Sequence, residues 1–276
     1  MSVLLPESLP DALEILSSEP DAVPVAGGTD LFVHWPDRLD DHGRTFLDLS
    51  GIDGLRGYHW EDDRLVMGSL TTFWDIIRDP TALADLPLLV AAARQVGAIQ
   101  IQTRGTWAGN IMNASPAADG VAVLMAYDAT VTFSSMGGQE EIPLSELYTG
   151  YKVLQKPPDS LLTSITVPRR DYRFQVFEKV GGRAAQAITK VGMAVTRRGE
   201  EWRVVANSVA PAVCRCHRVE AFLSEERPVS GPADLLAPLR EDVSPIDDIR
   251  STARYRETVL SRLLYFGLRD ECPSFS

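Results

Sequence analysis

Two short stretches set glycine beside small polar residues in a pattern suited to holding an anion through the backbone. The first, Ala26-Gly-Gly-Thr-Asp-Leu31, follows the apolar Val23-Pro-Val25 and leads into Leu31-Phe-Val33. The second, Arg104-Gly-Thr-Trp-Ala-Gly-Asn110, lies at the centre of residues 96–133. Glycine lets the chain turn tightly and approach a bulky ligand, and successive outward-facing N–H groups make a concavity for phosphate. Neither loop is rich in Lys or Arg, so backbone dipoles would do most of the binding, which suits a resident cofactor better than a passing polyanion. No Gly-Lys-Ser/Thr follows either loop, and neither carries the three spaced glycines of the dinucleotide fingerprint, which sets aside a nucleotide triphosphatase and a simple Rossmann enzyme. One glycine turn alone is usually only a turn. The pair, each read as following an apolar strand, points to a pyrophosphate held between them.

The elements that must position these loops follow from caps and periodicity. Ser115 reads as the N-cap of a helix with Pro116 at its first position and residues 121–126 as its buried run, and a helix start aimed at the loop adds positive potential. Thr130-Val-Thr-Phe133 is then a β-branched strand, and Asn110, Asn113, Ser115 and Asp119 gather at one end of this unit. Upstream, Ser8 caps a helix with Leu9, Leu13 and Leu16 on one face; 37–44 is a polar connection, 45–49 a strand, and Gly51, Gly54 and Gly57 punctuate a joint. Residues 58–68 form a hairpin, Gly68-Ser-Leu-Thr-Thr72 caps a helix at 73–78, and 83–96 is a longer helix. A loop at 148–158 and a strand at 161–167 follow. Past Arg169-Arg-Asp171 come three antiparallel strands, 173–179, 187–196 and 202–209, the last two joined by Arg198-Gly-Glu200. Helices at 218–224 and 249–268 end the chain, the second striped by Ile249, Ala253, Leu260, Leu263, Leu264 and Leu268, which reads as core or subunit contact.

At 276 residues the chain exceeds one typical domain, and two or three subdomains are expected. A formal charge of −11 argues against a nucleic-acid backbone or an anionic membrane surface as partner. No apolar run reaches the roughly 20 residues needed to span a bilayer, and the start lacks a basic, long apolar leader, so a cytoplasmic protein is expected. Cys214, Cys216 and Cys272 are too few and too badly spaced for a cluster or zinc, and an odd count fits a reducing compartment. His34, His42, His59 and His217 lack metal spacing.

Taken together, Ala26-Gly-Gly-Thr-Asp-Leu31, Gly68-Ser-Leu-Thr-Thr72, Gly105-Thr-Trp-Ala-Gly-Asn110 with Asn113-Ala-Ser-Pro-Ala-Ala-Asp119, Phe177-Glu-Lys179 with Arg183, and Asp248 to Arg256 resemble the FAD-binding medium subunit of the molybdenum hydroxylases. This is the group of xanthine dehydrogenase and carbon monoxide dehydrogenase flavoprotein subunits. The resemblance runs nearly end to end and in order. It implies an α+β chain in which two α/β subdomains of the PCMH-type FAD-binding fold, 1–55 and 56–168, hold FAD between them. A C-terminal domain, 171–276, would pair a three-stranded antiparallel sheet with helices.

The resemblance further implies that Val25, Ala26, Gly27, Gly28, Thr29, Asp30 and Leu31 bind the FAD pyrophosphate together with Thr106, Trp107, Ala108, Gly109 and Asn110. Ser115 and Asp119 would lie along the ribityl and diphosphate region, and Leu162 and Lys179 would approach the isoalloxazine ring. A cation there would favour the reduced anionic flavin; the plainer reading of Lys179 is a strand lysine facing solvent. Trp107-Ala108 stands where Ile-Gly is commoner in the family, and Gln102-Thr103 where many relatives carry Arg-Asn. Trp107 either shields the cofactor or fills core. The cysteine-bearing insertion of benzoyl-CoA-type relatives is missing, so no additional cluster is expected.

The function so implied is an electron-transfer subunit with no catalytic residue beyond the flavin. A large partner with the molybdenum cofactor would oxidise the organic substrate, and a small partner would pass electrons through [2Fe-2S] clusters. FAD would deliver them to NAD, oxygen or a quinone, in a dimer of heterotrimers. Two rivals are a stand-alone FAD-dependent reductase of the same fold, which needs a proton donor at the flavin, and a flavin-free assembly module, which needs no yellow cofactor.

Overall fold

The computed structural model describes residues 2–34 and 44–275. The polar connection expected at 37–44 lies, but for Arg44, outside the described residues. The first layer is a small parallel sheet formed by β1 (Ser2–Leu4), β2 (Val23–Val25) and β3 (Thr45–Asp48), with β3 in the middle. Between β1 and β2 runs α1 (Leu9–Ser18), opened by Ser8, whose hydroxyl accepts the Asp11 N–H at 3.3 Å. Ala12, Leu13 and Leu16 of α1 bury against Leu47, Leu49, Ile52 and Leu55, which closes this layer's core.

The second sheet is wholly antiparallel. β4 (Tyr58–Trp60) and β5 (Arg64–Gly68) form the expected hairpin, and the chain then leaves the sheet for a helical excursion. This comprises α2 (Phe73–Ile77), α3 (Pro80–Asp85), α4 (Pro87–Gln95), α5 (Ile99–Gln102), α6 (Trp107–Met112) and α7 (Asp119–Ala126). It returns as the hairpin β6 (Thr130–Ser135) and β7 (Gly138–Pro143), passes a small hairpin β8 (Tyr148–Gly150) and β9 (Val153–Leu154), and ends in β10 (Leu161–Pro168). β10 lies between β5 and β6, giving the order β4-β5-β10-β6-β7.

The third sheet is β11 (Phe174–Val180), β12 (Val191–Arg198), β13 (Glu201–Asn207) and β14 (Cys214–Arg215), antiparallel in that order. α8 (His217–Ser224), α9 (Leu236–Asp242) and α10 (Ala253–Leu268) complete the chain. Leu260, Leu264 and Leu268 of α10 bury with Val191, Met193 and Val204, so the expected stripe is core.

Several expectations are corrected. The helix read at 83–96 is two, because Pro87 has no N–H to continue α3 and instead opens α4. The segment at 148–158 holds the β8–β9 hairpin rather than being wholly loop. The strand read from 187 starts at Val191, and the short β14 extends the three expected strands at one edge. The last helix begins at Ala253, capped by Thr252, whose hydroxyl accepts the Tyr255 N–H; Ile249 precedes it fully exposed and is not part of the stripe. α9 was not anticipated: Pro238 sits inside its first turns, where the fixed ring is still compatible with a helix.

α7 is the junction of the second and third sheets. All eight of its residues are buried, as expected of a helix apolar all round. It packs on α4 and on β12 and β13. Its last turn is satisfied from the third sheet, where Thr196 donates its hydroxyl to the Ala126 carbonyl at 2.7 Å. Next along the chain, the buried Tyr127 hydroxyl accepts the Leu88 N–H at 3.0 Å and donates to Gln175 Oε1 at 2.6 Å.

Candidate cofactor-binding site

The two glycine loops meet. Val25 ends β2 opposite Asp48, Ala26 leaves the sheet, and Gly27 runs against the second loop so closely that a β-carbon on it would overlap the carbonyl oxygen of Arg104. Gly28 sits at φ +70°, a conformation side chains resist. Gly105 in turn approaches Thr29: a β-carbon there would lie 3.3 Å from the threonine hydroxyl. Further along, Asn113 donates its amide to Asp30 Oδ1 at 3.0 Å, and Leu31 starts a short 3₁₀ turn, Leu31–His34.

The second loop differs from expectation in two ways. It follows α5 rather than a strand, and only its first half is loop, because Thr106 caps α6 by accepting the Gly109 N–H at 2.9 Å. Trp107 and Ala108 are therefore the buried first turn of a helix. Trp107 is 0% exposed and packs on Phe73 with ring centroids 4.8 Å apart. Gly109 is exposed, and Asn110 is half-buried with its Oδ1 unpartnered among the described residues. Gly120 lets α7 close on that atom, since a β-carbon there would lie 2.7 Å from it.

Ser115 does not cap α7. Its hydroxyl accepts the Ala117 N–H at 3.2 Å within a separate turn, and the helix opens at Asp119 behind Ala118. The reason is Ala114 at φ +49°, which breaks the chain out of α6 and spends two further residues on a turn before α7 can start.

Asp119 and Lys179, 60 residues apart, form a buried ion pair with Nζ 2.6 Å from Oδ2 and side chains 5% and 7% exposed. Lys179 thus does not face solvent. Its ammonium also donates to the Gln95 carbonyl at 3.0 Å, so it lies between the C-terminus of α4 and the N-terminus of α7, where the helix dipoles favour a cation and an anion respectively. An ammonium has three donors, and the third has no protein acceptor among the described residues. The other carboxylate oxygen of Asp119 accepts from Thr189 Oγ1 at 2.6 Å and Asn207 Nδ2 at 2.9 Å. Three of its four acceptor sites are then used. Leu162 lies on β10 opposite Phe133, 5% exposed, beside a register shift in the ladder to β6.

Thr189 and Asn207 were not legible as site residues. They lie 70 and 88 residues from Asp119, Thr189 just ahead of β12 and Asn207 at the end of β13, and no local spacing marks them.

The residues fit a dinucleotide diphosphate. In the half-buried first loop the amides of Gly27, Gly28 and Thr29 donate to no acceptor among the described residues, and such N–H groups require a partner. A different hollow of about 370 Å³ is lined by Asp62, Asp85, Arg169, Arg170 and Tyr172. Its arginines are already paired, Arg169 with Asp85 at 2.8 Å and Arg170 with Asp128 at 3.1 Å, so it offers an anion no unpaired cation. Among the described residues no cluster of His, Cys, Asp and Glu could hold a metal ion, and no described helix is long and apolar enough to cross a membrane.

Two glycine loops in contact, joined to an antiparallel third sheet, are the arrangement to set beside known proteins, and the matches place the chain among FAD-binding oxidoreductase subunits. Residues 1–170 match the family model described as the FAD binding domain in molybdopterin dehydrogenase, and 176–270 match the CO dehydrogenase flavoprotein C-terminal domain. The chain is 30% identical over 221 residues to the xanthine dehydrogenase FAD-binding subunit of Escherichia coli O157:H7, covering 77% of this chain and 75% of that one. To the caffeine dehydrogenase subunit beta of Pseudomonas sp. (strain CBB1) it is 31% identical over 266 residues, covering 93% and 89%. A solved CO dehydrogenase from Oligotropha carboxidovorans superposes with a TM-score of 0.84 at 23% identity, over 95% of this chain and 94% of that one, a likeness of fold. The chain belongs to the family of FAD-binding domains of molybdopterin dehydrogenases.

Proposed function

We propose that this chain is the electron-transfer subunit of a heterotrimeric molybdenum hydroxylase, standing between the [2Fe-2S] clusters of a small partner and an external acceptor, NAD, oxygen or a quinone. The large partner would carry the molybdenum cofactor and choose the organic substrate, and the whole would assemble as a dimer of heterotrimers in the cytoplasm. In this reading residues 1–55 and 56–168 form the two walls of the cofactor cleft, and 171–276 supplies Lys179. FAD, when bound, supplies the link between one-electron donors and a two-electron acceptor.

The observation that carries the reading is the contact of Gly27 with the Arg104 carbonyl, beside amides with no acceptor among the described residues. The protein's part is to bind and to tune. Gly27, Gly28 and Thr29 would hold the diphosphate by their N–H groups with little help from cationic side chains. Ser115 still has its hydroxyl proton to donate, and Asp119 one acceptor site, toward the ribityl chain. Lys179 brings positive charge, buried from water and so weakly screened, to the isoalloxazine end.

The test is purification of the native complex. Stoichiometric FAD on this chain, with iron and molybdenum on two further chains, is the expected result. A colourless chain leaves only the assembly module, and a lone chain fully active with an organic substrate leaves the stand-alone reductase.

A further inference from the structure

We propose that Thr189 and Asn207 are positioning residues: they fix the Asp119 carboxylate in one orientation and through it hold the Lys179 ammonium at a single place in the cleft. The proposal rests on reading Lys179 as facing the flavin ring. Thr189 and Asn207 are 1% and 0% exposed and both donate to the same carboxylate oxygen, at 2.6 and 2.9 Å. A carboxylate gripped twice at one oxygen cannot turn about its last bond. The place of its second oxygen is thereby set, and that oxygen is the one Lys179 binds. A lysine stem is long and flexible and would otherwise sample several rotamers.

The two donors are themselves braced. Asn207 lies opposite Gly192 in the β12–β13 ladder, where any β-carbon would overlap its Oδ1, so glycine makes the room that the asparagine side chain needs to reach Asp119. Among the described residues that Oδ1 has no hydrogen-bond partner, and the amide nitrogen donates to Asp119. Ser208 follows at φ +65°, a strained conformation for a residue with a side chain. It is held there from three sides: its N–H donates to the Pro116 carbonyl at 2.7 Å, its hydroxyl to the Thr189 carbonyl at 2.8 Å, and its own carbonyl accepts from Arg256. Arg256, 4% exposed, also donates to the Lys190 carbonyl at 3.2 Å and is anchored by Asp248 at 2.7 Å. One guanidinium from α10 therefore clamps the residues next to both donors. Burying so many polar groups is costly where apolar side chains would pack, and their common endpoint is Asp119.

The experiment is a spectroelectrochemical titration of the flavin in the purified holoprotein, comparing wild type with Lys179→Ala, Thr189→Val, Thr189→Ser, Asn207→Leu and the double variant Lys179→Ala/Thr189→Val, with the FAD-to-protein ratio measured for each. Lys179→Ala is expected to lower the midpoint potential. Thr189→Val and Asn207→Leu should lower it in the same direction by a smaller shift at wild-type FAD content, Thr189→Ser should restore it, and the double variant should go no lower than Lys179→Ala alone. Should Asn207→Leu fail to fold, the near-isosteric Thr189→Val carries the test. A wild-type potential in Thr189→Val, with Lys179→Ala shifted, overturns the positioning role alone; so does an additive double variant. An unshifted Lys179→Ala overturns the placement of Lys179 at the ring, and the positioning role with it.

Discussion

The α-carbon of Gly27 rests on the carbonyl oxygen of Arg104, with no space between them for a β-carbon. This contact is backbone against backbone, so it cannot be relieved by a side chain turning aside. Gly27→Ala must push the two loops apart and with them the amides that would hold a diphosphate. The expected result is a folded protein, unchanged in far-ultraviolet circular dichroism, whose FAD content falls well below one per chain. Full FAD occupancy in Gly27→Ala would mean that the loop contact is not what forms the site.

Gly28 and Gly109 grade the same argument. Gly28 occupies φ +70° and a β-carbon on it would lie 2.7 Å from the Phe32 ring, so Gly28→Val strains both backbone and neighbour. Gly109 is a helical position whose β-carbon would meet only the capping hydroxyl of Thr106, at 2.9 Å. Losing a cap costs about 1 kcal/mol. FAD affinity, read by equilibrium dialysis of the apoprotein, should therefore fall further for Gly28→Val than for Gly109→Val; the reverse order would place the diphosphate on the second loop.

Lys179→Ala removes a cation that is 7% exposed and leaves the Asp119 carboxylate buried. Breaking a buried pair from one side costs roughly 3 kcal/mol, here softened by the two donors that remain on Asp119. The variant should unfold at lower urea concentration, retain FAD, and show a lower flavin potential because the reduced anion loses its counter-charge. A destabilised variant whose potential does not move would assign Lys179 to interdomain packing alone.

Local chemistry was readable where the partner lies within one turn or one hairpin. Ser8 and Thr72 cap helices where their spacing says they should, and the turn at Gly199 joins β12 to β13. Failures came where one residue carries two meanings. Pro87 looked like a residue within a helix and is the start of one; Ser115-Pro116 has the form of a helix start and serves a turn, because Ala114 had already left the helical region. Both glycine loops and their convergence on one ligand were visible, yet the particular contact of Gly27 with Arg104 was not, since nothing in Ala26 to Leu31 specifies Arg104. The network around Asp119 was out of reach for the same reason: its donors come from the loop before β12 and from the end of β13, in another sheet, and a threonine and an asparagine there carry no pattern of their own.

Asp128 offers a separate test of how the third sheet is attached. It follows α7 at φ +54° and accepts from Arg203 Nε at 2.8 Å and Arg170 at 3.1 Å, with Arg215 3.8 Å away. Asparagine adopts that backbone conformation at lower cost than alanine. Asp128→Asn should lose the charge network alone, and Asp128→Ala should lose conformational preference as well, about 1–3 kcal/mol in total. Urea midpoints in the order wild type, Asn, Ala are expected. Equal midpoints for the two variants would show that the backbone strain contributes nothing.

The buried tyrosines predict how stability depends on pH. Burial pushes the Tyr172 phenol up to about 12, Arg170 opposing only in part, and burial likewise raises Tyr127 well above its ordinary value. A phenol whose folded value exceeds its unfolded value near 10 contributes stability that is complete below that pH and is lost as the pH rises through the folded value. Alkaline unfolding should therefore set in above about pH 10. Tyr127→Phe separates this effect from hydrogen bonding. At neutral pH it leaves the Leu88 N–H and the Gln175 carbonyl without their buried partner, a loss of about 1–3 kcal/mol. Above pH 10 the variant has one fewer phenol to ionise on unfolding, so the gap between its urea midpoint and that of wild type should narrow. A gap of the same width at pH 7 and pH 11 would mean that Tyr127 ionises no less readily in the folded chain than in the unfolded one.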